Sequence, residues 1–264
     1  MYQMIKKLIL ISSITTFAWP NSSFAKETLS WAFDPWPPFH EINKESKKPE
    51  GLLIELVQEI FEKELNYKIV YNELPWKRCQ YNVEKGINDF MVTVPTKIRL
   101  AYSSASPKPL IALKDNILVT YAGHPMLKNI SQIKGVEDLI KKNYRGVTYI
   151  GNGWWGENLE GKGVKTTFVK SHENVMKFLA KKQADFTAYS VSETDTYVKK
   201  YNLEGKIVKT DVLVGSLNLH FMLSNLVKKK NPKKYEKLHE EYDKIFAKLE
   251  ASGKIKEILK KYDR

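Results

Sequence analysis

Few residues of this chain could do chemistry, and they are scattered. Histidines stand at 40, 124, 172, 220 and 239. None has the spacing of a zinc site: His172-Glu173 lacks the second histidine, four residues on, that would put two imidazoles on one helix face. Cys79 is the single cysteine and excludes an intramolecular disulfide; between Arg78 and Gln80 it reads as a packed thiol. There is no Gly-x-Ser-x-Gly elbow and no Gly-x-x-x-x-Gly-Lys loop. Gly151-Asn152-Gly153-Trp154-Trp155-Gly156 matches the Gly-x-Gly-x-x-Gly pattern and follows a strand. A dinucleotide site needs a helix of normal length to begin there, and Gly161 and Gly163 interrupt it. No metal, nucleotide or organic cofactor is expected. What remains suits recognition rather than catalysis. Trp36 and Trp76 each follow a proline in a turn-like context, and flat aromatic faces exclude water or hold a cation.

The elements that must position these residues alternate. Leu29–Phe33 reads as a strand, and 52–65 as an amphipathic helix with Leu53, Leu56, Val57, Ile60 and Phe61 on one side. Strands at 68–73 and 89–94 flank a short helix at 76–85. A second run follows: strands at 116–121, 146–150, 166–169 and 184–189, with helices at 136–142 and 172–182, the latter capped by Ser171. A long extended run covers 213–224, and Asn231-Pro232 opens the last helices. This order predicts two α/β lobes, the chain crossing between them near 113–116 and near 214–217. The expected division is lobe 1 over 26–115, lobe 2 over 116–214, and a return to lobe 1 over 215–264. A cleft between lobes is where small ligands bind.

The first 25 residues read as a signal peptide: Lys6 and Lys7, then an apolar stretch from Leu8 to Trp19, then Ser23-Phe24-Ala25 before cleavage. The stretch is shorter than the ~20 residues of a spanning helix. No cysteine follows it, so no lipid anchor is expected, and the expected location is the periplasm. The formal net charge is +13. Export argues against nucleic acid as partner, and the Lys228–Lys230 run with Lys233 and Lys234 reads as a solvated face.

Several short marks, in this order and spacing, resemble the extracellular solute-binding protein family 3, the periplasmic receptors of polar amino acid uptake. They are Trp36-Pro37-Pro38-Phe39; Gly51-Leu52-Leu53-Ile54-Glu55-Leu56; Gly86-Ile87-Asn88-Asp89; Thr96-Lys97-Ile98-Arg99 with Tyr102-Ser103; and Ser252-Gly253-Lys254-Ile255 through Tyr262. The resemblance spans nearly all of the chain after residue 25. It implies the type II periplasmic binding fold, a monomer, and delivery of a small solute to an inner-membrane ABC permease. It also implies that Arg99, the arginine of Thr-x-x-Arg, grips a ligand carboxylate, for which a planar guanidinium fork is suited. Trp36 and Trp76 fall where the family carries the aromatics that sandwich the ligand. Thr96 and Val94 belong to the same segment, and Gly153, Trp154 and Trp155 to a loop whose backbone amides bind ligand.

Two departures qualify the amino-acid reading. Ser190 stands where the family places the aspartate that binds the ligand ammonium, with Glu193 and Asp195 near but at a different offset. Val94 stands where amino acid binders commonly carry serine or threonine. The expected ligand is therefore a small polar, carboxylate-bearing solute, an amino acid or a derivative, and no catalysis is expected. The alternatives are a periplasmic cyclohexadienyl-type dehydratase with Glu193 as general acid, and a soluble sensory receptor.

Overall fold

The computed structural model describes residues 26–262. The signal-peptide reading of residues 1–25 lies outside them. No helix among the described residues is long and apolar enough to cross a membrane.

In chain order the strands are β1 Thr28–Phe33, β2 Glu41–Ile42, β3 Pro49–Glu50, β4 Lys68–Glu73, β5 Phe90–Thr93, β6 Ser103–Ala105, β7 Ile111–Tyr121, β8 Gly146–Tyr149, β9 Thr166–Val169, β10 Thr187–Ser190 and β11 Ile207–Ser224. The helices are α1 Leu52–Val57, α2 Trp76–Glu84, α3 Lys97–Leu100, α4 Val136–Lys141, α5 Gly153–Asn158, α6 His172–Ala180, α7 Val191–Lys200, α8 Asn225–Lys230, α9 Pro232–Ala251 and α10 Lys254–Lys260. The amphipathic stretch predicted over 52–65 is one continuous helix whose second half, Gln58–Glu64, widens into a π-helix.

Strands β4, β1 and β5 run parallel, and β11 lies antiparallel to β5. Strands β7 and β11 are long and pair antiparallel, with register shifts between Lys209 and Leu217. They are the two strands that carry the chain from one lobe to the other. Their length exceeds the strands read from the sequence because each belongs to both lobes. Strand β10 adds to β7 beyond the crossing.

Two separate cores hold the halves. Leu29, Trp31, Phe61, Phe90 and Phe221 pack with α9 and α10 in one; Leu118, Trp155, Leu159 and Phe186 pack in the other, beside a cluster built on Val175, Leu179 and Tyr197. Helix α9 shows why its sequence folds as it does. Asn231 caps it by accepting from Lys234 N, Pro232 fills the first turn, and Tyr235, Leu238, Tyr242, Phe246 and Leu249 form a buried stripe at helical spacing. Helices α3, α5, α7 and α8 escaped the sequence reading, α5 lying where a ligand-binding loop was expected. Ser190 closes β10 and caps α7 in a capping box with Glu193.

Candidate functional site

The carboxyl ends of parallel strands are where an open α/β sheet leaves a crevice. Here Asp34 follows β1 and Val94 follows β5, and both line a chamber between the lobes. The chamber encloses about 40 Å³, room for about three water molecules. Trp36, Trp76, Trp154, Tyr149, Asn116 and Glu193 also face it.

Arg99 is the most constrained residue there. Thr96 caps the one-turn α3 and accepts from Arg99 N, which fixes the start of the side chain. The side chain is 3% exposed. Nη1 donates to Val94 O at 2.9 Å and Nη2 to Gly151 O at 3.1 Å. The guanidinium lies 5.1 Å from the Trp76 ring. Nε has no hydrogen-bond partner among the described residues, and neither does Asn116 Oδ1. Burial pulls the guanidinium pKa below its ordinary value.

Gly151 is one of the points where the lobes meet. Its carbonyl accepts from Trp76 Nε1 at 2.9 Å and Gln80 Nε2 at 3.3 Å as well as from Arg99. Its φ of +91° is glycine territory. Gly153 allows the second close approach. A Cβ there would lie 2.9 Å from Thr96 Cγ2 and 3.2 Å from Arg99 Cζ.

Two carboxyls face the guanidinium's chamber. Glu193 sits in the first turn of α7, accepts from Ser190 N through Oε2, and accepts from Trp36 Nε1 through Oε1 at 2.5 Å. Asp34 is 16% exposed and 3.8 Å from His172 Nε2. Burial lifts its carboxyl to about 7; Arg99 acts in the opposite direction. His172 offers it no counter-charge, because burial drops that imidazole to about 3. The neutral ring stacks on Trp36 at 6.1 Å and contacts Tyr149 and Tyr189. Burial likewise drops His40 to about 4. Asp34, Trp76 and His172 also line an outer groove of about 730 Å³ that continues the chamber toward solvent.

The structure brings Arg99, Trp36, Trp76, Val94 and Trp154 together around one chamber. Thr96 and Gly153 stand behind Arg99 rather than on the chamber wall. Trp155, expected in the ligand loop, is fully buried in the second core, where its Nε1 donates to Thr166. Trp154 and Trp155 are neighbours on α5, so one full turn cannot present both to the same side. Ser190 is fully buried as a helix cap; Glu193 reaches the chamber in its place. Sequence reading missed Asp34, Asn116, Tyr149 and His172. The signal for Asp34 was its place directly after the first strand.

No family model and no curated protein matches the sequence. Solved structures do match the fold over most of its length. A histidine kinase sensor domain with similarity to periplasmic binding proteins superposes with a TM-score of 0.72 at 16% identity, covering 90% of this chain and 96% of that one. An ancestral arginine-binding protein bound to glutamine gives 0.71 at 18%, covering 90% and 98%. A structure from work on glutathione import through GshT and the cystine ABC importer TcyBC of Streptococcus mutans gives 0.68 at 19%, covering 90% and 95%. With two α/β lobes, two crossing strands and these neighbours, the chain has the fold of the periplasmic binding proteins.

Proposed function

We propose that this chain is an exported solute-binding protein that closes on a small zwitterionic solute, an amino acid or a derivative, and delivers it to an ABC permease. The observation that carries this is a chamber lined by a buried guanidinium and by two carboxyls, Asp34 from the same lobe and Glu193 from the other. The carboxylate of the solute belongs on Arg99, whose Nε is an unengaged donor. Its ammonium belongs near Asp34, a carboxyl that burial leaves without a full counter-charge. Binding an ammonium there lowers the cost of ionising it. Three tryptophans exclude water and strengthen both contacts. In this reading Ser190 does not argue against an amino acid, since Asp34 and Glu193 line the chamber as acids from other positions. The chain acts as a monomer and needs no cofactor in this reading, and the likeness to an arginine-binding protein favours binding over catalysis.

A thermal-shift panel tests the proposal. It contains the twenty amino acids, their derivatives, carboxylates without an amine, and amines without a carboxylate. A zwitterion at a hundred times its Kd stabilises the fold by ~2.7 kcal/mol. Binding of amine-free carboxylates as tight as that of the matching amino acids would refute the role given to Asp34. No response to any carboxylate would refute the role given to Arg99.

A further inference from the structure

Positive charge is concentrated at the end of the sheet opposite the chamber. Strands β1, β4 and β5 deliver their carboxyl ends to the chamber, so Thr28 and Lys68, paired at the amino ends, mark the far end. Six residues of β1 separate the two ends, about 20 Å at ~3.3 Å per residue. Strand β11 runs the other way and pairs Leu223 with Phe90, so Ser224 and α8 also emerge at the far end.

There the chain places five lysines in seven residues, Lys228, Lys229, Lys230, Lys233 and Lys234, with no acid between them. Lys234 is tied to Thr28 O at 2.8 Å and lies 3.7 Å from Glu27. The other four form no ion pair with a described residue. Exposed Lys68 adds to them from β4. The acids at this end are Glu27, Glu84, Asp89, Glu236 and Glu241; Glu84 is paired with Lys85, and Asp89 is turned inward onto Ser30 and Tyr235. Two large apolar side chains break the surface beside the lysines: Ile87 at 59% exposure and Leu226 at 41%. They are close together, because a Cβ on Gly86 would lie 3.1 Å from Leu226 Cβ.

We propose that this end of the molecule rests on an anionic phospholipid bilayer, with the free lysines among the lipid phosphates and Ile87 and Leu226 against the headgroup layer. A cluster of lysines repels itself in water and is relieved by an anionic surface; each lysine held near such a leaflet tightens binding about fivefold. The contact needs no pocket. Its geometry turns the chamber away from the lipid, so a lipid-held molecule is free to capture solute and leaves the leaflet to deliver it. The inference stands apart from the solute-binding reading.

Co-sedimentation of the purified protein with vesicles tests it. The protein is expected to bind phosphatidylglycerol-containing vesicles, not pure phosphatidylcholine, and to be released at about 0.5 M salt, where charges more than a few ångströms apart are screened. The triple reversal K228E/K229E/K230E is expected to weaken binding by more than about a hundredfold. The reversal K141E/K142E/K162E has the same net charge, is placed on exposed sites of the other lobe, and is expected to bind like the parent. If the first variant does not fold, K229S/K230S/K233S gives the same readout with a smaller loss. No binding to anionic vesicles, equal binding to both lipids, or equal losses from both reversals would overturn the proposal.

Discussion

Replacing Asp34 with asparagine removes a charge while keeping a shape. Burial lifts the Asp34 carboxyl from 3.8 to about 7. That lift is worth about 4 kcal/mol at ~1.36 kcal/mol per decade of proton affinity. The side chain keeps 16% exposure, so water retains part of its hold and the figure is an upper value. The sign follows from proton linkage. The folded carboxyl binds its proton more tightly than the unfolded one, so folding takes up a proton between the two pKa values. The penalty is absent below 3.8, grows through the interval, and is complete above about 7. D34N never ionises and escapes it. Without solute, D34N is therefore expected to melt several degrees above the parent at pH 8, at ~2–4 °C per kcal/mol for a chain of this size. The gap should close as the pH falls toward 4. With solute the order reverses, because the variant has lost the partner of the ammonium. Calorimetric melting of both proteins across the pH series measures this. A D34N variant that melts no higher than the parent at pH 8 would refute the reasoning, since it would mean that the ionised carboxyl is well solvated or already paired.

Arg99→Ala is expected to weaken binding of a carboxylate-bearing solute by about 2–5 kcal/mol, read by titration calorimetry, and Arg99→Lys to recover only part because it keeps the charge without the fork. Trp155→Ala should cost about 3–5 kcal/mol of stability by denaturant titration and leave affinity nearly unchanged, since the ring is buried in the second core; Trp154→Ala should show the opposite balance. Gly153→Ala forces a Cβ to within 2.9 Å of Thr96 and 3.2 Å of Arg99, so it should hold the lobes apart, weaken binding, and enlarge the radius of gyration in small-angle scattering. Amino-terminal sequencing of the exported protein should begin at Lys26.

Much of the fold was legible because its elements announce themselves locally. Strands β4 and β9 stand where their β-rich runs predicted, and α9 where Asn231-Pro232 opened it. Crossing strands were legible as extended runs, though not in full length, because pairing over two lobes is a tertiary fact. Helix α7 was missed for a different reason. Ser190 was weighed as a ligand residue, yet Ser190 with Glu193 three residues on is a capping-box signature. That box also explains the chamber: a glutamate in the first turn bends back toward its own cap, and on α7 that direction is the cleft. The choice between Trp154 and Trp155 was not legible. Both are apolar rings beside glycines, and only the docking of α5 decides which one faces the chamber. Asp34 was hidden by its ordinariness, since an aspartate after a strand is usual and its burial is visible only in three dimensions.

Three donors from one lobe converge on the carbonyl oxygen of Gly151 in the other. Capture through Arg99 Nη2 is thereby an exchange reaction, in which an incoming oxygen displaces an acceptor that the protein already holds, whereas Nε, without a partner among the described residues, is open to it. A neutral carbonyl or hydroxyl on the solute would replace like with like and gain almost nothing. The bond from Arg99 to this carbonyl is already charge-assisted on the donor side, and an ionised oxygen adds to it the attraction between two full charges. The resting contact thus sets a threshold that scales with charge: a neutral sugar or alcohol gains too little to displace the Gly151 carbonyl from Arg99, and an anion gains enough.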